Sequence, residues 1–190
     1  NNQVYAPFIH NLTQDGAKVI TFDIMFNEHG DEKGDQAFAE ELSKHDNIIL
    51  PSHGRLPDHV TTKRNEMVEA LELIKPIDEL NPARHLAHIN AYHDQDGVIR
   101  KNWLQIKSQE GIIPSIALKS VEIYGKKIDE ISRFLQDPQK QFIVKYNGGP
   151  EHFTQVPFAQ VVANDFPEGT FTGKIVFVGF TAVGFEYDDG

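Results

Sequence analysis

Apolar side chains recur along this chain with two periods, and the changes from one to the other mark its elements. Val4, Phe8, Ile9 and Leu12 fall at helical spacing. Pro7 suits the first turn, where its missing N–H does no harm, and Gly16 fits the residue just beyond the helix C-terminus. Ala17 to Ile24 is a near-continuous apolar run, the pattern of a strand covered on both faces. Asn27 to Gly34 is polar and glycine-punctuated, a loop. Asp35 is expected to cap a helix that turns Phe38, Ala39 and Leu42 inward. Asn47 to Pro51 reads as a short strand stopped by its proline.

Residues 63–75 fit either period: Met67, Ala70, Leu71 and Ile74 at helical spacing, Leu71, Leu73 and Lys75 in alternation. Leu86–Ala91 and Val98–Ile106 flank the turn-forming segment from Tyr92 to Gly97, which predicts a hairpin. Pro114 is expected to open a helix through Ile116, Leu118, Val121 and Tyr124, ended by Gly125. Gln141–Tyr146 is a strand, Val156–Ala163 a short helix, and Gly173–Gly179 the last strand. The sum is a single α/β domain over residues 1–190: a central mixed, mostly parallel β-sheet with helices on both faces. Ala17–Ile24 and Lys174–Val178 are expected to be interior strands, covered by helices near 7–14, 35–44 and 114–124.

Composition narrows the function. Of 190 residues 39% are hydrophobic, thirteen of them Phe, enough for a real core. The net charge of −10 repels phosphate backbones and anionic lipid head groups, which argues against nucleic acid as a partner. The absence of cysteine excludes disulfides, cysteine nucleophiles and thiolate metal sites. No apolar run approaches the ~18 residues needed to span a bilayer. The chain opens almost directly on an amphipathic segment and stops soon after a strong strand, so it reads as a piece of a longer protein.

Candidate chemistry is sparse. Asp94 and Asp96 stand at alternate loop positions, but the twelfth position counted from Asp94 is Gln105, a poor bidentate calcium ligand. A tight turn explains the segment better, with Arg100 pairing to one of its aspartates. His85, His88 and His93 are close in sequence, yet in a strand the odd spacing of the first two puts them on opposite faces; scattered histidines are expected, and no metal or other cofactor. Gly179–Ala182 is better explained by loop geometry than by an anion nest. Ser52-His53 lacks a nucleophile elbow and an orienting partner. A ligand pocket, if present, belongs at the carboxyl ends of the central strands. The candidate ligand-binding residues are Asp23 and Phe26 after the first strand, Asn147 after a later one and Thr181 after the last, with Asn90 and Arg100 from the hairpin. The competing reading is that these polar groups satisfy one another.

The order of motifs resembles the type-two CHASE domain, the cyclase- and histidine-kinase-associated sensory extracellular module. The matching pieces are Gly16–Ile20 running into Phe22–Phe26, Asp35 before Ala39 and Leu42, Ile48–Pro51, Asn90, Asp94–Arg100, Pro114–Leu118 and Gly173–Ala182. The resemblance implies a non-catalytic bacterial sensor, periplasmic or extracellular, held by membrane helices outside this chain. It implies a cytoplasmic output, a nucleotide cyclase or a histidine kinase. The partners expected are an unknown small-molecule or ionic signal and a second protomer, with dimerisation through the full-length receptor. Family members begin with one further apolar strand, and this sequence opens at the helix that follows it. From other classes, a structural dimerisation module without a ligand and an exported hydrolase are the alternatives.

Overall fold

The computed structural model describes residues 2–57, 66–80, 85–91, 94, 96–125, 135–136, 140–149 and 152–180. Helix α1, Tyr5–Gln14, buries Phe8, Ile9 and Leu12, three of the four residues that predicted it. Asp15 caps its end, and Gly16 at φ 86° takes the left-handed position expected of it. The Asp15 carboxylate then accepts the backbone N–H groups of Gly169 and Phe171, both at 2.6 Å. The end of the first helix is thereby tied to the loop that enters the last strand.

Helix α2, Glu32–Ser43, starts earlier than expected. Asp31, in extended conformation, is the cap; its side chain accepts the Gly34 N–H at 2.9 Å. Asp35 lies inside the helix, buried, and accepts from the Asn2 amide at 2.6 Å and the Gly30 N–H at 3.0 Å. Helix α3, Ile116–Tyr124, is capped by the Ser115 hydroxyl and ended by Gly125 at φ 91°. Helix α4, Phe158–Val162, is the short one expected.

The strands are β1 (Val19–Phe22), β2 (Ile48–Arg55), β3 (Glu72–Ile74), β4 (Leu86–His88), β5 (Lys101–Trp103), β6 (Gln105–Ser108), β7 (Gly111–Pro114), β8 (Gln141–Ile143) and β9 (Ile175–Val178). Among the described residues the main sheet runs β3-β2-β1-β9, with β4 also paired to β2. β1, β2, β4 and β9 are parallel and β3 is antiparallel, so the sheet is mixed and mostly parallel. Side chains alternate across it. Ile20, Phe22, Ile48 and Leu50 face α1, α2 and α4; Val19, Ile49 and Ala87 face α3. On the first face Tyr5 meets the rings of Phe22, Phe26, Phe38 and Phe158 at centroid distances of 5.0–5.8 Å.

Three further expectations are corrected, and one open reading is resolved. Pro51 does not stop β2: the pairing with β1 is last registered at Thr21–Ile49, just before the proline's missing donor, but the parallel pairing with β4 runs on through Pro51–Ala87. Among the described residues, the segments on either side of the expected turn do not pair with each other as a hairpin. β4 is buried at Ala87 and His88 and joins the main sheet, while residues 98–106 divide between β5, which pairs with β8, and β6, which forms a hairpin with β7. β8 therefore lies outside the main sheet. The run Lys174–Val178 is not interior: among the described residues β9 pairs only with β1, and Phe177 is 58% exposed. The ambiguous stretch resolves as extended chain from Glu69 and as strand β3, residues 63–65 lying outside the described set.

Gly54 marks where a second core, built on Val68, Ala70, Trp103, Ile106 and Ile113, presses on β2. A Cβ there would meet Ile106 Cδ1 at 2.8 Å and Ala70 Cβ at 2.9 Å. Gly54→Ala is expected to destabilise the domain by ~1–3 kcal/mol through overpacking, read as a lowered urea midpoint with an unchanged slope. Gly149→Ala, where a Cβ meets nothing within 4 Å, is the control.

Candidate functional site

Because β1, β2, β4 and β9 run parallel, their carboxyl ends share one edge of the sheet. At the end of β1 the Asp23 N–H donates to the Val178 carbonyl at 2.7 Å. The Asp23 side chain lies against Gly179, whose added Cβ would stand 3.6 Å from Asp23 Cβ. Removal of water by the surrounding chain raises the Asp23 pKa, although the residue as a whole is exposed. The solvent-exposed area and the pKa thus report different things: an open residue with a crowded carboxyl group.

Phe26 is buried in the aromatic cluster under α1 and α2. Asn90 continues β4 with its side chain. Its amide donates to the Gly54 carbonyl at 2.6 Å, and its oxygen accepts the Gly54 N–H at 2.8 Å, as a paired strand residue would. Arg100 is exposed and forks onto Asp94 and Asp96 at 2.7–2.8 Å, so that Asp96 first and Asp94 second raise its pKa. Asn147 is exposed in the loop after β8. Thr181 lies outside the described residues. Asp23 and Asn90 therefore share the carboxyl edge of the main sheet, while Arg100 and Asn147 belong to the β5–β8 ribbon, whose ladder continues through Val144 N–H to the Arg100 carbonyl.

Further along the same edge, beyond the end of β2, lies an open cavity of about 390 Å³ lined by Arg55, Leu71, Glu72, Leu73, Gln109 and Glu110. The β6–β7 turn forms one wall and β3 the other. Arg55 pairs with Glu72 at 3.1 Å, and Glu110 pairs with Lys75 at 2.5 Å. The cavity joins segments more than fifty residues apart in sequence, so no local motif announces it.

Beside this edge sits a buried polar column. The Ser52 hydroxyl donates to the Ala87 carbonyl at 3.1 Å, and the Thr21 and Ser120 hydroxyls meet at 2.8 Å. Ser52 and His53 project to opposite faces of β2, so the adjacent pair is not arranged as nucleophile and base. His88 is fully buried, and among the described residues neither ring nitrogen has a hydrogen-bond partner. Burial, and then the nearby His53, lower its pKa to about 3. Among the described residues no three His, Asp or Glu side chains are grouped to hold a metal ion.

A family model for the CHASE2 domain matches residues 1–187. Neither the curated proteins nor the solved structures contain a match to the chain.

The geometry makes two predictions about the edge. Asn90→Ala strands both backbone groups of Gly54 and should cost about 1–3 kcal/mol for each buried group left unpaired, measured by urea denaturation. His88, whose folded pKa lies below its unfolded value near 6.5, binds its proton more readily when the chain is unfolded. Stability is therefore fully present above pH 6.5 and falls by roughly 1 kcal/mol per pH unit as pH drops toward 3. Between pH 6.5 and 4.5, above the range where the lowered Glu41 pKa adds to the loss, His88→Leu should flatten this slope. An unchanged slope would show that His88 is not its source.

Proposed function

The chain belongs to the CHASE2 domain family, a sensory family of signalling receptors, and on that premise we propose that it is the signal-receiving, non-catalytic part of a membrane-anchored bacterial protein. In this reading it is displayed outside the cytoplasm between membrane helices, and its output is a nucleotide cyclase or a histidine kinase. The match over residues 1–187 carries the reading. No helix among the described residues is long and apolar enough to cross a membrane. The Ser52 hydroxyl, engaged by a buried carbonyl, is in keeping with a domain that does no chemistry.

The signal is a small polar molecule that enters at the carboxyl edge of the sheet. The cavity beyond β2 is within the size range of small-molecule sites. Arg55 offers it a cation, Glu72 and Glu110 offer acceptors, and Leu71 and Leu73 offer an apolar floor. A ligand anion would take Arg55 from Glu72 and loosen β3 from its partner, and only such a difference in affinity between two arrangements can transmit a signal. Asp23, beside Gly179, is the second candidate on the same edge. Phe26, Asn90, Arg100, Asn147 and Thr181 complete the set proposed from the sequence.

A thermal-shift screen of small carboxylates, phosphates, amino acids and amines tests the proposal, because binding to the native state raises its melting temperature. At least one compound should stabilise the domain saturably. Arg55→Ala should abolish that shift while leaving the ligand-free melting temperature nearly unchanged, since an exposed ion pair contributes at most about 1 kcal/mol. Loss of the shift in Asp23→Ala but not in Arg55→Ala would move the site to the end of β1. No shift across the panel would favour the structural pairing module.

A further inference from the structure

The loop that leaves β8 brings an asparagine, a glycine and a histidine together. Asn147-Gly148 is the only Asn-Gly step in the sequence. Asn147 is exposed, and among the described residues no hydrogen bond holds its side-chain amide. Other asparagines are tied: Asn11 donates to the Val161 carbonyl, Asn47 to the Ala17 carbonyl, and Asn90 engages both backbone groups of Gly54. The Gly148 N–H donates to no backbone carbonyl among the described residues. Just before this step the chain is fixed, because the Tyr146 hydroxyl donates to the Ile99 carbonyl at 2.8 Å.

His152 folds back onto the same step. Its backbone N–H donates to the Gly149 carbonyl at 3.2 Å, and its ring meets Phe153 edge-on at a centroid distance of 5.1 Å. The imidazole lies over the Gly148 Cα: a Cβ built there would stand 2.7 Å from Nδ1 and 2.8 Å from Cγ. Only a residue without a Cβ admits the ring so closely.

We propose that Asn147 is a site of spontaneous self-modification, at which the main chain converts the side-chain amide to a carboxylate with His152 as general base. The Gly148 nitrogen attacks Asn147 Cγ, and His152 takes the proton which that nitrogen sheds. The new N–Cγ bond closes a succinimide ring. The bond from Cγ to the amide nitrogen breaks, and ammonia leaves with the proton that His152 returns. Water then opens the ring at either carbonyl, so aspartate and isoaspartate both form. In sum one amide and one water become one carboxylate and one ammonium ion, and no other reactant is consumed. Glycine leaves the attacking nitrogen uncrowded, and a neutral imidazole accepts a proton near neutral pH far better than water does. The product adds a negative charge to a chain that already carries −10. In the isoaspartate form the main chain is also one carbon longer where it leaves the β5–β8 ribbon.

Peptide mapping by mass spectrometry tests this on the 190-residue chain, incubated at neutral pH in water enriched in heavy oxygen and sampled over days. The peptide that carries residue 147 should exchange NH2 for OH, take up heavy oxygen and separate into two products. It should do so faster than any other asparagine-containing peptide. His152→Gln should slow the reaction by about tenfold, the low end of or below what a positioned general base supplies, and flatten its rise across the pH range in which imidazoles lose their protons. Gly148→Ala should nearly abolish it. The wild-type chain unfolded in urea should react at the slower His152→Gln rate, a comparison that holds even if a variant misfolds. An Asn147 that stays intact would overturn the proposal. So would a rate unchanged both by His152→Gln and by urea, because the folded loop would then add nothing to the bare dipeptide. Neither result depends on the thermal-shift screen, so modification and ligand binding stand or fall separately.

Discussion

Strand β2 has to serve two sets of neighbours along eight residues. Its first half is clasped between β1 and β4 in parallel register. Its second half leaves β1 behind, takes β3 in antiparallel register and receives the side chain of Asn90 in place of a further β4 residue. Pro51 stands at the change of partner and Gly54 at the point of closest packing, where Ile106 and Ala70 leave no space for a Cβ. The aromatic core under α1 and α2, the small core around Trp103 and the cavity beside Arg55 all take their positions from this strand.

The division of β2 is also a division of labour. Every residue of β1 and of the first half of β2 is buried, and the cover on both faces is aliphatic and aromatic. Around its second half the contacts are a three-residue strand, a short hairpin, the small core around Trp103 and surface ion pairs such as Arg55–Glu72 and Lys107–Glu69, each at 3.1 Å. Exposed pairs of this kind contribute little. The chain thus divides into a frame buried on both faces and a layer held by short strands and exposed pairs. The nitrogens of His88, buried at the joint and unpaired among the described residues, add a polar weak point that an apolar side chain of similar size would remove.

Much of this was legible in the residues. The helices α1 and α3 and the C-terminal ends of both follow from apolar spacing and from Gly16 and Gly125, because caps and periodicity are local; Pro114, expected to open α3, is instead the last residue of β7, and Ser115 is the cap. The motif order that resembles the type-two CHASE domain survives comparison with the family model. What was not legible depends on which strands meet. An apolar run reads the same whether it lies inside a sheet or at its edge, so β9 was expected inside. Leu86–Ala91 had the alternation of a hairpin arm, and only its burial beside β2 shows that it belongs to the main sheet. Asn90 was singled out as a candidate from the expected hairpin, but its partner is a backbone 36 residues away that no pattern reveals. The Arg55 cavity escaped for the same reason.

Native-state hydrogen exchange, residue by residue, tests the division of β2 most directly. Amides of β1 and of Ile48 to Leu50 should exchange only through global unfolding, whereas those of β3 and the β6–β7 hairpin should exchange through a local opening of distinctly lower free energy. Equal protection of the two halves, or earlier opening at β1, would contradict a rigid frame carrying a yielding layer.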